Sequence, residues 1–135
     1  MEEEKELIPD TDSLIGFSRV MSDQGIVHPC APSNVRLAAK GELEVAAAYE
    51  KDKIEKYQAL AQQRGARFFP IILETTGGMG KQAALGIAHI ISAAKHSSRW
   101  APLEVVNSIR ERLCVSVLRW NAAMIAEGLW RSRAV

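Results

Sequence analysis

The sequence has few cysteines, no long apolar run and almost no excess of charge. Cys30 and Cys114 are the two cysteines among 135 residues. Residues 1–6 are acidic rather than basic and then apolar, so they do not predict a secretory signal, and we expect both thiols to be reduced. Because no apolar run approaches the ~18–20 residues that span a bilayer, we expect no membrane segment.

The near balance of charge also weighs against one class of protein. Lys and Arg number 17 and Asp and Glu 16, which gives a net charge of +1. A freestanding DNA-binding domain usually carries a clear basic excess, because neutralising phosphates supplies much of its affinity. The composition therefore disfavours such a domain, but it is compatible with a domain whose larger parent protein supplies most of the binding.

The first part of the chain favours a β-hairpin. Residues 13–21 and 23–28 are short segments rich in strand-forming residues, and we expect a turn near Phe17 to Arg19. Gly25 weakens the second segment as a strand. A long helix is predicted next, from an N-cap at Ser33 or Asn34 to residue 64.

That helix has clear composition and end signals. It is rich in Ala, Glu, Lys, Leu and Gln, Gly41 is its one internal flaw, and Gly65 suits the position just after its C-terminus. Residues 67–74 predict a buried strand, in which Pro70 indicates an edge position or a bulge. Two further helices are predicted at 81–96 and 103–131.

The predicted order β-β-α-β-α-α indicates an α/β (α+β) fold. We expect a small mixed sheet with a β-hairpin, a long helix, a further strand and two C-terminal helices. A chain of 135 residues that is 47% hydrophobic fits one globular domain with a real core. We therefore predict a flexible acidic lead-in at residues 1–9 and a single domain at 10–131.

Two familiar ligand-binding patterns are incomplete. The turn at residues 75–80 lies between a strand and a helix, as a phosphate-binding loop does. However, Thr75 stands where the pattern G-x-x-x-x-G-K-[ST] has its first Gly, and Gln82 stands where it has the Mg²⁺-binding hydroxyl. His28 and Cys30 are possible zinc ligands without a second pair. We predict neither nucleotide hydrolysis nor a zinc site.

Acidic residues at the ends of the predicted strands form a stronger candidate site. Asp10 stands just before the first strand and Asp23 opens the second, and a hairpin folds these positions back towards each other. Two carboxylates brought together in this way can share one hard divalent cation, Mg²⁺ or Mn²⁺. The third strand ends in Glu74, a candidate auxiliary residue.

The long helix supplies cationic and phenolic groups. Lys53 and Tyr57 are four residues apart, with Lys56 beside them, so their side chains can reach one patch. Two carboxylates for a metal ion and an ammonium near the scissile phosphate suit metal-assisted phosphodiester hydrolysis. On residue types alone, turns and helix caps explain the acids equally well, and helical lysines are usually a solvated face.

The same residues resemble a known nuclease signature. Asp10-x12-Asp23 resembles the PD-(D/E)XK pattern, except that Gly25 stands at the lysine position. In the restriction-like endonuclease domains of non-LTR retrotransposon polyproteins the lysine has moved to the following helix, in a K-x-x-K-Y pattern, and this chain reads Lys53-Ile54-Glu55-Lys56-Tyr57. The strings IVHPCAPSN, GARFFP and LETTGGMG extend the resemblance over about residues 8–125.

The resemblance implies a restriction-endonuclease-like core and a role in retroelement integration. Asp10 and Asp23 would hold Mg²⁺ or Mn²⁺, Lys53 would be the equivalent of the nuclease lysine, and Lys56 and Tyr57 would support it or contact DNA. The implied activity is nicking of target DNA to prime reverse transcription, or a decayed remnant of that activity. The implied partners are DNA and a reverse transcriptase domain of the parent polyprotein, in the nucleus or cytoplasm.

A second interpretation requires no catalysis. A small α/β module could bind a protein or a nucleic acid through its last two helices. The final helix ends in Trp130-Arg131-Ser132-Arg133, in which an aromatic residue lies beside basic ones, although such an end is more often a charged, frayed terminus.

Overall fold

The structure, a computed structural model, describes residues 7–93 and 102–133, with the side chains of the last helix described over residues 107–128. The residues 1–6 of the predicted lead-in lie outside it. Three strands and four helices follow one another along the described chain: β1 (Thr11–Ile15), β2 (Ser18–Val27), α1 (Val35–Ala38), α2 (Glu44–Gln63), β3 (Arg67–Glu74), α3 (Lys81–Ala93) and α4 (Pro102–Arg133).

The strands form a mixed sheet, which confirms the predicted fold class. Their order is β1-β2-β3, with β1 antiparallel and β3 parallel to the central β2. The predicted hairpin is present, but it turns slightly earlier than expected, at Gly16 and Phe17, where Gly16 has a φ of +59°. The parallel pair is joined by a crossover that contains α1 and α2, as parallel strands require.

The second strand is longer than the sequence indicated. The prediction placed two segments, 13–21 and 23–28, on either side of Ser22, whereas β2 continues without a break from Ser18 to Val27. Ser22 and Asp23 are buried there. Polar groups are tolerated in a central strand when their hydrogen bonds are satisfied, and both have side-chain partners.

The prediction of a single long helix that starts at Ser33 or Asn34 is wrong. Two helices occupy that stretch, because the chain breaks after Ala38 and Leu43 adopts a left-handed conformation with a φ of 61°. Asn34 is the N-cap of α1 but its side chain donates to the His28 carbonyl instead of capping. The break gives α2 its own axis across the sheet.

The strand and turn signals further along the chain are confirmed. Gly65 lies just beyond the C-terminus of α2 with a φ of +63°, and β3 has the predicted bounds. Pro70 indicated an edge strand or a bulge, and β3 is an edge strand. Both C-terminal helices are present, although residues 94–96 of the first prediction lie outside the described part of the chain.

Helices cover both faces of the sheet. On one face α2 packs over β2 and β3, with a buried cluster of Val27, Val45, Ala46 and Ile72. On the other face α3 and α4 pack against β3, with a buried cluster of Leu73, Met79, Ala83, Ile87 and Val117. Within the described residues, no helix is both long enough and apolar enough to pass through a membrane.

Candidate functional site

Asp23 lies in the central strand β2, on the face of the sheet that α2 covers. Asp23 is 5% exposed. The side chain of Lys53, from α2, binds the Asp23 carboxylate at Oδ2. The hydroxyl of Tyr57, one helical turn later, lies 3.4 Å from Oδ1. A nearly buried carboxylate is therefore held by an ammonium on one oxygen and a phenol near the other, as a buried charge requires.

Asp10 lies beside Asp23 at the end of the hairpin. The last pair of the antiparallel ladder is Thr11 with Ser22, and continuing the ladder by one position places Asp10 opposite Asp23. The backbone N–H of Gln24 donates to Asp10 Oδ2 at 2.7 Å. Unlike Asp23, Asp10 is exposed to solvent. The hairpin thus brings together two carboxylates, one buried and one open to the outside.

Both Asp23 and Asp10 influence the pKa of Lys53. The hydrogen bond to Asp23 raises the pKa of the Lys53 ammonium, and the negative charges of Asp23 and Asp10 act in the same direction. Burial, the second-largest effect, lowers this pKa but does not cancel the rise. Lys53 is therefore fully protonated at neutral pH and supplies a fixed positive charge to the site.

Tyr57 connects the helix, the strand and the segment before β1. Its hydroxyl lies 3.2 Å from the carbonyl oxygen of Ile8, in addition to its approach to Asp23. Its ring stacks on Phe68 of β3, with the ring centroids 5.1 Å apart. The phenol has one proton, so it can donate a hydrogen bond to only one of these two oxygens at a time. This residue fixes where the chain enters the hairpin, just before Asp10.

Lys56 lies beside the cluster rather than inside it. It is exposed, and its Nζ lies 5.1 Å from the centroid of the Tyr57 ring. This cation–π contact keeps the ammonium on the outer side of Tyr57. Lys56 is thus placed to meet a ligand that approaches from solvent.

Glu74 is not brought to this cluster. In the ladder between β2 and β3, Asp23 pairs with Pro70 and Glu74 pairs with Val27, about 13 Å further along the strand. Glu74 is buried and accepts the backbone N–H of Ala46, in the first turn of α2, at 3.2 Å. A carboxylate in this position satisfies a free N–H and complements the helix dipole.

A second buried carboxylate, which the sequence did not single out, has a similar role. Glu50 of α2 accepts the backbone N–H of Gln82, in the first turn of α3, at 2.9 Å. Burial raises the pKa of Glu50. Gly80 leaves room for this contact, because a Cβ there would lie 2.0 Å from Glu50 Oε1. The glycine-rich turn is therefore packed around carboxylates of the protein itself.

A cluster of charges next to the site also escaped the sequence prediction. Asp12 lies two residues after Asp10 and accepts two hydrogen bonds from Arg19, at 2.8 and 2.9 Å. Arg64, from the end of α2, donates to the same carboxylate at 2.8 Å. The hydrogen bond from Arg19 lowers the pKa of Asp12. The hairpin could have suggested that Asp12 pairs with Arg19, because the two residues lie on its neighbouring strands. No local signal in the sequence connects Asp12 with Arg64, which lies 52 positions later.

A serine–histidine pair on the opposite face of the sheet does not have the geometry of a catalytic dyad. Ser18 Oγ lies 2.8 Å from His89 Nε2, but Nδ1 of the same ring lies 3.0 Å from the Arg67 guanidinium. Since a guanidinium only donates, Nδ1 accepts and Nε2 carries the proton towards Ser18. Burial lowers the pKa of His89, and the charge of Arg67 adds to this effect. His89 is therefore a donor here rather than a base.

Asp10 and Asp23 supply two carboxylates on neighbouring strands, which is the type of ligand that Mg²⁺ prefers. No group of three or more His, Cys, Asp or Glu that could hold a metal ion occurs among the described residues. Mg²⁺ usually keeps several waters and is bound in proteins through one or two carboxylates and the phosphates of the substrate. One exposed and one buried carboxylate on neighbouring strands fit this requirement, whereas they would not suffice for an ion held by protein ligands alone.

Comparison of the chain with protein-family models, with curated proteins and with solved structures gave no match. The geometry of the Asp10, Asp23, Lys53 and Tyr57 cluster, together with the sequence resemblance, is therefore the basis for any assignment of function.

Proposed function

We propose that this chain is a metal-dependent DNA endonuclease domain of a retroelement polyprotein, which nicks target DNA to prime reverse transcription. The observation that supports this proposal best is the convergence of Asp10, Asp23, Lys53 and Tyr57 at the hairpin end. They come from three separate parts of the chain, and they are the acidic pair and the K-x-x-K-Y residues on which the resemblance depends.

In this function Asp10 and Asp23 would hold one Mg²⁺ or Mn²⁺. When bound, such an ion stabilises negative charge on a phosphate oxygen and lowers the pKa of a coordinated water. The exposed Asp10 would be accessible to DNA, and the buried Asp23 would anchor the ion to the sheet. Tyr57 orients the Asp23 carboxylate through Oδ1 and fixes the segment that leads into Asp10.

The two lysines would act on the DNA. Lys53 carries a positive charge next to the acidic pair, where an ammonium can stabilise the charge that develops on the scissile phosphate. Lys56, on the outer side of Tyr57, would contact a neighbouring phosphate of the backbone. With a net charge of +1 the domain has little general attraction for DNA, so most of the affinity would come from the parent polyprotein and its reverse transcriptase domain.

A plasmid-nicking assay tests the proposal. Supercoiled DNA is incubated with the full chain in Mg²⁺ or in EDTA, and the relaxed form is quantified. We expect nicking in Mg²⁺ alone and a loss of at least about 100-fold in Asp23→Asn, as for removal of a group that stabilises the transition state. Asp12→Asn is the matched control, because Asp12 lies two residues from Asp10 but outside the acidic pair. Equal nicking by the wild type and Asp23→Asn would contradict the proposal.

A second candidate function, a non-catalytic protein- or nucleic-acid-binding module, is favoured by one feature of α4. Trp120, Met124 and Ile125 are 72%, 56% and 56% exposed, which is unusual for a set of large apolar side chains on one helix. The side chains of residues 129–133, including Trp130, lie outside the described part of the chain. Absence of Mg²⁺-dependent nicking in the wild type, with DNA binding retained, would favour this function.

A further inference from the structure

Lys53 contacts one of the two Asp23 oxygens that a divalent cation could use. Its ammonium binds Oδ2, while the Tyr57 hydroxyl lies next to Oδ1. Asp23 is buried, whereas Asp10, on the neighbouring strand, is exposed. A cation that bridges the two carboxylates therefore binds Asp23 close to the Lys53 ammonium, whichever of the two oxygens it takes.

Two positive ions on one carboxylate repel each other strongly in a partly buried site. Repulsion between an ammonium and a divalent ion at contact distance grows as the local dielectric falls, and Asp23 is shielded from water. Asp10 adds to the negative potential that holds Lys53 in place. A divalent ion shared by the two acids would offset this potential and weaken their hold on Lys53. Simultaneous occupation is thus electrostatically unfavourable.

Lys53 can leave Asp23 without unfolding the site. Its side chain is 28% exposed, in contrast to 7% for that of Asp23, so its terminal group already has access to solvent. The stem has four flexible methylene groups, and the ammonium is a strongly hydrated charge that gains water when it moves outward. Lys56, on the same helix, and Asp10, of the acidic pair, are both exposed to solvent.

We propose that Lys53 and the divalent cation occupy Asp23 by exchange, so that Lys53 keeps the acidic pair closed until a cation displaces it towards the DNA phosphate. This inference rests on the proposed function. It assigns Lys53 a role in regulating cation entry, in addition to its role towards the phosphate. The exchange makes the cation affinity of the wild type weaker than its two carboxylates alone would give.

Mn²⁺ binding, followed through the electron paramagnetic resonance signal of the free ion, tests the exchange without reference to activity. We expect Lys53→Met and Lys53→Gln to bind Mn²⁺ at least about fivefold more tightly than the wild type, since each removes the competing charge. Lys53→Gln retains an N–H donor for Asp23, so it provides the measurement if the methionine variant does not fold. Lys56→Gln is the matched control, because it removes one positive charge three residues away, and we expect less than about a twofold change.

The Asp23→Asn variant distinguishes failure of the proposed exchange from failure of the metal site itself. If Lys53→Gln binds Mn²⁺ no more tightly than the wild type while Asp23→Asn loses binding, the exchange is overturned and the metal site of the proposed function stands. If neither the wild type nor Lys53→Gln binds Mn²⁺, the metal site itself is overturned, and the exchange with it. An equal gain in Lys56→Gln and Lys53→Gln would also overturn the exchange, because general charge would then explain the effect.

Discussion

The contact between Lys53 and Asp23 makes a quantitative prediction about stability. Breaking a fully buried ion pair typically destabilises a protein by about 3–5 kcal/mol, whereas exposed pairs contribute about 0–1 kcal/mol. The Lys53 side chain is 28% exposed and that of Asp23 is 7% exposed, so this pair lies between the two cases. We therefore expect a coupling free energy of about 2 kcal/mol between the two side chains.

A double-mutant cycle with Lys53→Met and Asp23→Asn measures this coupling. Urea unfolding of the wild type, the two single variants and the double variant is followed by circular dichroism, and about 2 kcal/mol corresponds to a midpoint difference of about 1 M. The Lys51–Glu55 pair on the same helix is the matched control, because its side chains are 77% and 65% exposed and its charges lie 3.9 Å apart. We expect a coupling below about 0.5 kcal/mol for that pair. The same small value for Lys53 with Asp23 would refute the assignment of a structured, partly buried site.

Two further predictions concern the packing of the second face of the sheet. Gly86→Ala should destabilise the fold by about 1–3 kcal/mol, because its Cβ would lie 2.6 Å from the Phe69 Cβ. Gly128→Ala is the control: no atom lies within 4 Å of its Cβ, so it should stabilise α4 by up to about 1 kcal/mol. Urea unfolding midpoints compare the two variants, and equal shifts would contradict this packing. Burial and the charge of Arg67 lower the pKa of His89 from 6.5, so the folded state binds this proton more weakly than the unfolded state, and stability should fall as the pH drops below 6.5. This pH dependence should diminish in His89→Gln, and an unchanged profile would contradict it.

The parts of the fold that could be predicted are those set by local chemistry. The apolar, aromatic and β-branched composition of β3, the hairpin, and the glycine after α2 each depend on residues close together in sequence, and the structure has all of them. The break before α2 could not be predicted in the same way. Leu43 is not a residue that favours a left-handed conformation, and it packs against the cluster of Val27 and Ile72, so a tertiary contact fixes its backbone.

The candidate site, too, could be predicted only where it depends on local sequence. A hairpin brings Asp10 and Asp23 together, and helical spacing brings Lys53 and Tyr57 to one face, so both pairs could be inferred from the sequence. Their mutual approach depends on how α2 crosses the sheet, which local pattern does not specify. Glu74 shows the limit of such reasoning, because a carboxylate at the end of a strand serves the N-terminus of α2 instead of the acidic pair.

We propose that Asp10 and Asp23 act as one unit in Mg²⁺-dependent cleavage of DNA. Nicking rates of Asp10→Asn, Asp23→Asn and the double variant test it most directly, with circular dichroism to establish that each protein is folded. Groups that act together are non-additive, so we expect each single variant to lose at least about 100-fold and the double variant to lose little more. Full nicking by Asp10→Asn, or losses that multiply in the double variant, would contradict the claim.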